Sequence, residues 1–211
     1  MSDADSLHMR RAIALARTRL GRTWPNPTVG CVIALDGQVL GEAATAPGGR
    51  PHAEEQALEQ AGTAARGAAA YLTLEPCGER TSHQASCASR LIAAGVSRVV
   101  IACEDPTPYA SGQGIERLRS SDVAVEGGLL AEEAHLLSAG FIHRFATGRP
   151  LVEAADTPEG FDAAFEPRAG ESLDAALRRH GEIGHTRLWT PRGGALAWEL
   201  SQQGLLAEGR R

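Results

Sequence analysis

The chain has 211 residues, a formal net charge of −5, and 43% hydrophobic against 22% charged residues, the balance of a folded globular protein with one domain and an appendage, or two small domains. No run approaches the roughly 18 apolar residues of a membrane span, and the acidic start, with Asp3 and Asp5, is unlike a secretory signal, so a cytoplasmic protein with no membrane partner is expected. All 21 basic residues are arginine; without lysine neither a Walker-type phosphate loop nor Schiff-base chemistry is available, and the acidic balance leans away from a nucleic-acid partner.

In chain order, residues 5–20 carry Leu7, Ile13, Ala16 and Leu20 at helical spacing, with Asp5 or Ser6 as a cap. Trp24-Pro25-Asn26-Pro27 excludes helix by its prolines and predicts a fixed loop. Residues 28–35 and 38–44 read as two strands of a hairpin joined at Asp36-Gly37. A Pro/Gly loop over 45–50 leads to His52, and residues 52–62 read as a helix burying Ala57, Leu58 and Ala61. A strand over 68–74 runs into Glu75-Pro76-Cys77. Residues 88–94 form a short helix closed by Gly95, and the apolar run 97–103 predicts a strand buried on both faces. Residues 115–120 read as helix, 123–126 as strand and 129–145 as a longer helix before the boundary at Gly148-Arg149-Pro150. Helix, hairpin, then alternating strand and helix predict a three-layer α/β/α sandwich on a mixed sheet of about five strands. Cys31 and Cys103 lie in apolar runs and read as small core residues.

The chemistry concentrates in His52, Cys77 and Cys87. One imidazole and two thiolates can hold a zinc ion through three protein ligands and leave a fourth position open, as in catalytic rather than structural sites. Glu54 stands two positions from His52 and is not itself a ligand. His-x-Glu followed by Pro-Cys and a second Cys is the signature of zinc base deaminases. Hydrolytic removal of an aromatic amine needs an activated water and a proton for the departing nitrogen. A bound zinc brings the pKa of water to around 7, and a glutamate in this place shuttles the proton. In mid-helix, His52 and Glu54 would point about 200° apart, at about 100° per residue; at the first turn both can face one cavity. Glu75, at the end of a buried strand, reads as a residue that bonds backbone or supports the site. A deaminase of another base and a non-catalytic zinc-stabilised scaffold remain open on these residues alone.

The wider pattern resembles the deaminase domain of RibD-type riboflavin-biosynthesis proteins. The matching pieces are Pro25-Asn26-Pro27, residues 29–33, Gly49-Arg50-Pro51-His52-Ala53-Glu54, residues 70–77, residues 91–100, Asp105-Pro106-Thr107-Pro108 and Gly148-Arg149-Pro150. The resemblance implies a cytidine-deaminase-like fold for residues 1–149. It also implies deamination of 2,5-diamino-6-ribosylamino-4(3H)-pyrimidinone 5′-phosphate with release of ammonia, with Zn2+ on His52, Cys77 and Cys87 and Glu54 as proton shuttle. Asn26 and Asp105 would hold the pyrimidine substrate, and Thr45, Arg80 and Thr81 occupy positions on the recognition side. This sequence departs from the family pattern in three places. The loop 78–86 is longer and carries Arg80-Thr81 nearer the first cysteine, with His83 an added loop histidine. Thr45 replaces a common histidine, and Thr107 replaces Asn or Asp.

In the same family Gly-Arg-Pro opens a reductase domain much longer than residues 151–211. Residues 151–160 lack the lysine and the Ser-Leu-Asp-Gly segment of that domain, whereas a helix over 172–180, a strand over 186–190, Gly193-Gly194 and a helix containing Leu196, Leu200, Leu205 and Leu206 resemble its end. Residues 150–211 are therefore expected to be a reductase remnant that is not catalytic. It would cap the deaminase or support a homodimer or higher homo-oligomer, with Trp189 and Trp198 as buried anchors.

Overall fold

A computed structural model describes residues 1–79 and 84–207; Arg80, Thr81 and His83 lie outside the described residues. The chain opens with helix α1 (Asp3–Arg17), followed by strands β1 (Gly30–Leu35) and β2 (Gln38–Ala44) and helix α2 (Ala53–Ala61). Strand β3 (Ala69–Leu72), helix α3 (Cys87–Ala93), strand β4 (Arg98–Ile101), helix α4 (Gln113–Arg119) and strand β5 (Ala124–Gly127) alternate as expected, and helix α5 (Ala131–Thr147) closes this part. Then come β6 (Leu151–Ala155), β7 (Ala163–Ala164), α6 (Leu173–Glu182), β8 (Arg187–Pro191) and α7 (Ala195–Gln202).

The first five strands form one mixed sheet in the order β2-β1-β3-β4-β5. β1 runs antiparallel to both β2 and β3, and β3, β4 and β5 are parallel. The β1–β2 turn has positive φ at both Asp36 and Gly37, the conformation that makes Asp-Gly favourable in a two-residue hairpin. Alternate strand residues feed two separate cores. Cys31, Ile33, Val99 and Ile101 join Ala57 of α2, Leu91 of α3 and Leu118 of α4. Val32, Ala34 and Val100 join Met9, Ile13 and Ala16 of α1 and Leu137 of α5. That is the expected three-layer sandwich, and the apolar character of β4 follows from its filling both cores.

Two expectations for α1 are corrected. The helix starts at Asp3, with Ser2 accepting the Asp5 N–H and Asp5 accepting the Ser2 N–H, a reciprocal box that satisfies two helix-end donors. Leu7 is 65% exposed, and the buried stripe is Met9, Ala12, Ile13 and Ala16, a better i, i+3, i+4, i+7 match. The polar members of the stripe are used: Asp5 accepts a hydrogen bond from the Tyr71 hydroxyl at 2.8 Å and pairs with Arg98 at 2.7 Å.

Residues 151–207 form a second, three-stranded parallel sheet in the order β6-β8-β7. Its own apolar cluster contains Val152, Phe165, Leu177, Leu188 and Leu200, with Leu205 and Leu206 packed against it. The last helix stops at Gln202, short of those two leucines. Trp189 is half-buried and Trp198 is 68% exposed, so in the single chain Trp198 is not the buried anchor expected. It lies on the solvent side of a short helix whose inward residues are Ala197 and Leu200. Among the described residues no helix is long and apolar enough to cross a membrane.

Candidate active site

A cavity of about 350 Å³ opens beyond the carboxyl ends of β3 and β4, where open α/β sheets bind ligands and within the usual range for small-molecule pockets. His52, Glu54, Cys77 and Asp105 all line it. His52 is the N-cap of α2, still in extended conformation at φ −68° and ψ 161°. Glu54 therefore falls in the first turn, and the two side chains share the cavity instead of diverging. Cys77 follows β3, and Cys87 is the first residue of α3.

The ligating atoms of His52, Cys77 and Cys87 all lie within 4.8 Å of one another. Cys87 Sγ is 3.3 Å from His52 Nδ1, and the Cys87 N–H points to Cys77 Sγ at 3.3 Å. A backbone donor aimed at sulfur favours thiolate over thiol. Glu54 is 3% exposed, and its Oε2 is buried without a hydrogen-bond partner among the described residues. Burial pushes the Glu54 carboxyl up, while neighbouring His52 pulls it back. Two sulfurs and an imidazole nitrogen within coordinating reach, beside a carboxylate oxygen left unpaired in the interior, fit a metal ion with one protein-free position. Cys31 is buried in the core on β1 and does not line the cavity; burial, and secondarily Glu54, pushes its thiol well up, as suits an inert core cysteine.

The wall around this centre is fixed by backbone bonding. The Thr23 and Thr28 hydroxyls meet at 2.8 Å and the Asn26 N–H donates to the Thr23 carbonyl at 3.0 Å, closing the Pro-Asn-Pro loop. Thr45 also lines the cavity, but its hydroxyl accepts the Val29 N–H at 3.0 Å and donates to the Pro27 carbonyl at 3.1 Å. Its observed work is to hold the Asn26 loop.

Opposite, the Glu75 carboxylate accepts the N–H groups of Gly112, Gly114 and Ile115 at 3.1–3.3 Å and of Asp105 at 3.4 Å. This is the backbone-bonding role expected from its place at a strand end, and it carries Asp105, Thr107 and Tyr109 to the rim. Gly114 allows the closeness, since a Cβ there would stand 1.9 Å from the Pro76 carbonyl oxygen. Burial pushes the Asp105 carboxyl up, against hydrogen bonding from Thr107.

Sequence reasoning missed four lining residues. Tyr109, Phe141 and Phe145 form an aromatic side, Phe145 lying 6.3 Å from each of the other two rings. Phe141 and Phe145 are four apart on α5, a spacing that could have signalled one face. Arg50 is the arginine among the described lining residues, which also include Glu54, Glu75, Glu79 and Asp105.

The comparisons agree with this geometry. Residues 2–103 match the cytidine and deoxycytidylate deaminase zinc-binding region. The chain is 45% identical over 149 residues to the riboflavin biosynthesis protein RibD of Escherichia coli K12, covering 71% of this chain and 40% of that protein. It is 42% identical over 148 residues to the chloroplastic riboflavin biosynthesis protein PYRD of Arabidopsis thaliana, covering 70% of this chain and 34% of the other. Among solved structures, RibD of Acinetobacter baumannii superposes with a TM-score of 0.68 at 28% identity, covering 97% of this chain and 80% of that one. A diaminohydroxyphosphoribosylaminopyrimidine deaminase/5-amino-6-(5-phosphoribosylamino)uracil reductase from Thermotoga maritima gives 0.66 at 37% identity, covering 80% of this chain and 48% of that one. The chain thus spans about 40% of the length of the curated bacterial relatives it matches. On its zinc-binding-region match, these identities and the shared fold, the chain belongs to the RibD-type deaminase family.

Proposed function

We propose that the chain is a zinc-dependent deaminase of riboflavin biosynthesis. It would convert 2,5-diamino-6-ribosylamino-4(3H)-pyrimidinone 5′-phosphate to 5-amino-6-(5-phosphoribosylamino)uracil and ammonia. The observation that carries the reading is the His52–Cys77–Cys87 donor cluster with the buried Glu54 carboxylate beside it, one oxygen of which has no hydrogen-bond partner among the described residues. His52, Cys77 and Cys87 hold the zinc, which when bound supplies the Lewis acidity that makes water a nucleophile near neutral pH. Glu54 accepts one proton of the attacking water and delivers it to the ring nitrogen, then carries the second proton of that water to the departing amine, which leaves as ammonia. The dry surroundings raise its basicity toward that task. Asn26 and Asp105 orient the ring from opposite walls. Arg50 places positive charge for the phosphate, with Arg80 and Thr81 of the adjoining loop as further candidates.

Residues 150–211 add no reductase chemistry in this reading. What supports that is the content of residues 151–160, without the lysine and Ser-Leu-Asp-Gly of the reductase pattern. A cytoplasmic homodimer or higher homo-oligomer is part of the same proposal, checked by sedimentation of the purified protein. The decisive experiment is ammonia release from the phosphorylated diaminopyrimidine, with cytidine, guanine and tRNA adenosine as competitors. Release from one of these and not from the riboflavin intermediate would reassign the substrate. Steady NADPH oxidation on the deaminated product would overturn the monofunctional part.

A further inference from the structure

The helix that supplies Phe141 and Phe145 to the cavity is also the helix on which residues 151–207 are seated. Gly140 of α5 meets the strand β8 so closely that a Cβ there would stand 2.6 Å from Arg187 Cβ and 2.7 Å from the Thr186 carbonyl. Arg187 in turn donates from Nη1 to the Leu136 carbonyl of α5 at 3.0 Å. Between these contacts and the cavity lies Arg144. Its guanidinium carbon is 3.4 Å from the centre of the Trp24 ring, and its Nη1 donates to the His185 carbonyl at 3.1 Å. Trp24 also packs against Phe141, with ring centres 6.3 Å apart. The next three residues after Trp24 are Pro25, Asn26 and Pro27, all of which line the cavity. Gly184, next to His185, lies against Trp24, where a Cβ would make ordinary contact with Trp24 Cβ at 3.5 Å, and its φ of +97° is one that glycine adopts readily.

We infer that Arg144 is a positioning residue that uses the 183–185 loop as an anchor to hold Trp24, and through it the Pro25-Asn26-Pro27 wall of the cavity. The inference rests on reading that cavity as the deaminase site, and it gives residues 151–207 a part in substrate binding that does not require any chemistry of their own. The residue type suits the task. A guanidinium is planar, so one face can lie on the indole while an edge N–H reaches a carbonyl, whereas an ammonium is a point charge without a face. Arg144 is six residues before Pro150, so the anchor is on one unit and the effect is on the other. It touches none of the metal-donor residues, and its removal should alter binding of the ring rather than proton transfer.

The test uses the full chain loaded with zinc, as Arg144→Ala, Arg144→Met, Trp24→Leu and the Arg144→Ala/Trp24→Leu double variant. Amide hydrogen exchange over residues 22–29 is expected to rise about tenfold in Arg144→Ala, while β3 and β4 keep their protection. KM for the phosphorylated pyrimidine is expected to rise by a similar factor with kcat held within about threefold, and the double variant is expected to be no worse than the more affected single one. Should Arg144→Ala fail to fold, Arg144→Met, which keeps the stem and loses the guanidinium, carries the same comparison. Unchanged exchange at 22–29, or KM effects of the two sites that multiply independently, would overturn the inference. A wild-type chain that releases no ammonia while Arg144→Ala still loosens residues 22–29 would instead remove the deaminase reading and leave the brace standing.

Discussion

Glu55 Oε2 lies 3.4 Å from Arg90 Nη2, and the other oxygen of the same carboxylate accepts the His52 backbone N–H at 3.1 Å. One carboxylate thereby joins the helix that begins after His52 to the helix that begins with Cys87. Supporting residues of this kind set how accurately donor atoms meet a metal, and their loss commonly costs about 10–100-fold in metal affinity. Glu55→Ala is expected to weaken zinc retention about tenfold, and Arg90→Ala to weaken it less, because that arginine is partly exposed. Chelator competition followed by zinc quantification checks both; equal retention in Glu55→Ala and wild type would dismiss the link.

Glu54 carries the proton traffic in the proposed reaction and donates nothing to the metal. Glu54→Gln is expected to keep stoichiometric zinc and lose about 10²–10⁴-fold in turnover. Zinc content and ammonia release, measured on one preparation, separate this outcome from simple loss of the metal.

Chelation tests whether the donor cluster holds the proposed zinc. A metal ion would add one shared partner to three donors from separate elements, His52 before α2, Cys77 after β3 and Cys87 at the start of α3. Ligand binding to the folded state alone stabilises it in proportion to occupancy, so chelated protein is expected to melt earlier, and restored zinc to return both the melting temperature and ammonia release. An unshifted melt with full activity would show that the cluster does not need a metal.

Arg50 lines the cavity in company with Glu54, Glu79 and Asp105. Arg50→Ala is expected to raise KM for the phosphorylated substrate about tenfold or more, on the scale of one charge-assisted hydrogen bond, and to leave the rate on the dephosphorylated nucleoside unchanged. Comparison of the two substrates is the check.

Asp5 is 5% exposed, and its hydrogen bond from Arg98 holds its carboxyl far below the usual carboxylate range; burial opposes this. Burial and the hydrogen bond to Asp5 push the Tyr71 phenol up to about 12. A depressed carboxyl stabilises the fold at pH above its unfolded pKa of about 4, and that contribution drains away as pH falls below it. Asp5→Asn is expected to cost about 2–3 kcal/mol at neutral pH, since it leaves Arg98 and Tyr71 short of their acceptor. Urea melts of both proteins should therefore differ at pH 7, and the difference should begin to narrow as the pH falls below about 4, closing only once the pH passes the depressed folded value.

The metal cluster was legible because its chemistry admits few residue types: imidazole, thiolate and a carboxylate near the first of them. Its placement was nearly legible too: the helical pattern was read from His52, and the structure makes His52 the N-cap, with Glu54 in the first turn. The sheet was readable from the alternation of apolar runs and turn residues, down to Asp36-Gly37. The face of α1 was read correctly at Ile13 and Ala16 but not at Leu7, because the close approach of α1 to β1 selected Met9 and Ala12 instead. The aromatic side of the cavity was out of reach for a different reason. Phe141 and Phe145 meet the Asn26 loop only through tertiary packing, and nothing local in α5 distinguishes a helix that fills a core from one that also lines a pocket. Arg144 over Trp24 joins residues 120 positions apart and left no trace in either segment.

The seating of β8 on α5 gives the two sides of residues 151–207 unequal freedom to change. On the inward side, Gly140 against Thr186 and Arg187 leaves no room for one added methyl group, and the His185 carbonyl is already spent on Arg144. On the outward side, Trp198 touches solvent and is not bound to that geometry. Drift, insertion and the fusion of a tag are therefore tolerated on the α7 face, while the narrow strip from Ile183 to Arg187 answers to the pocket on the other side of the helix.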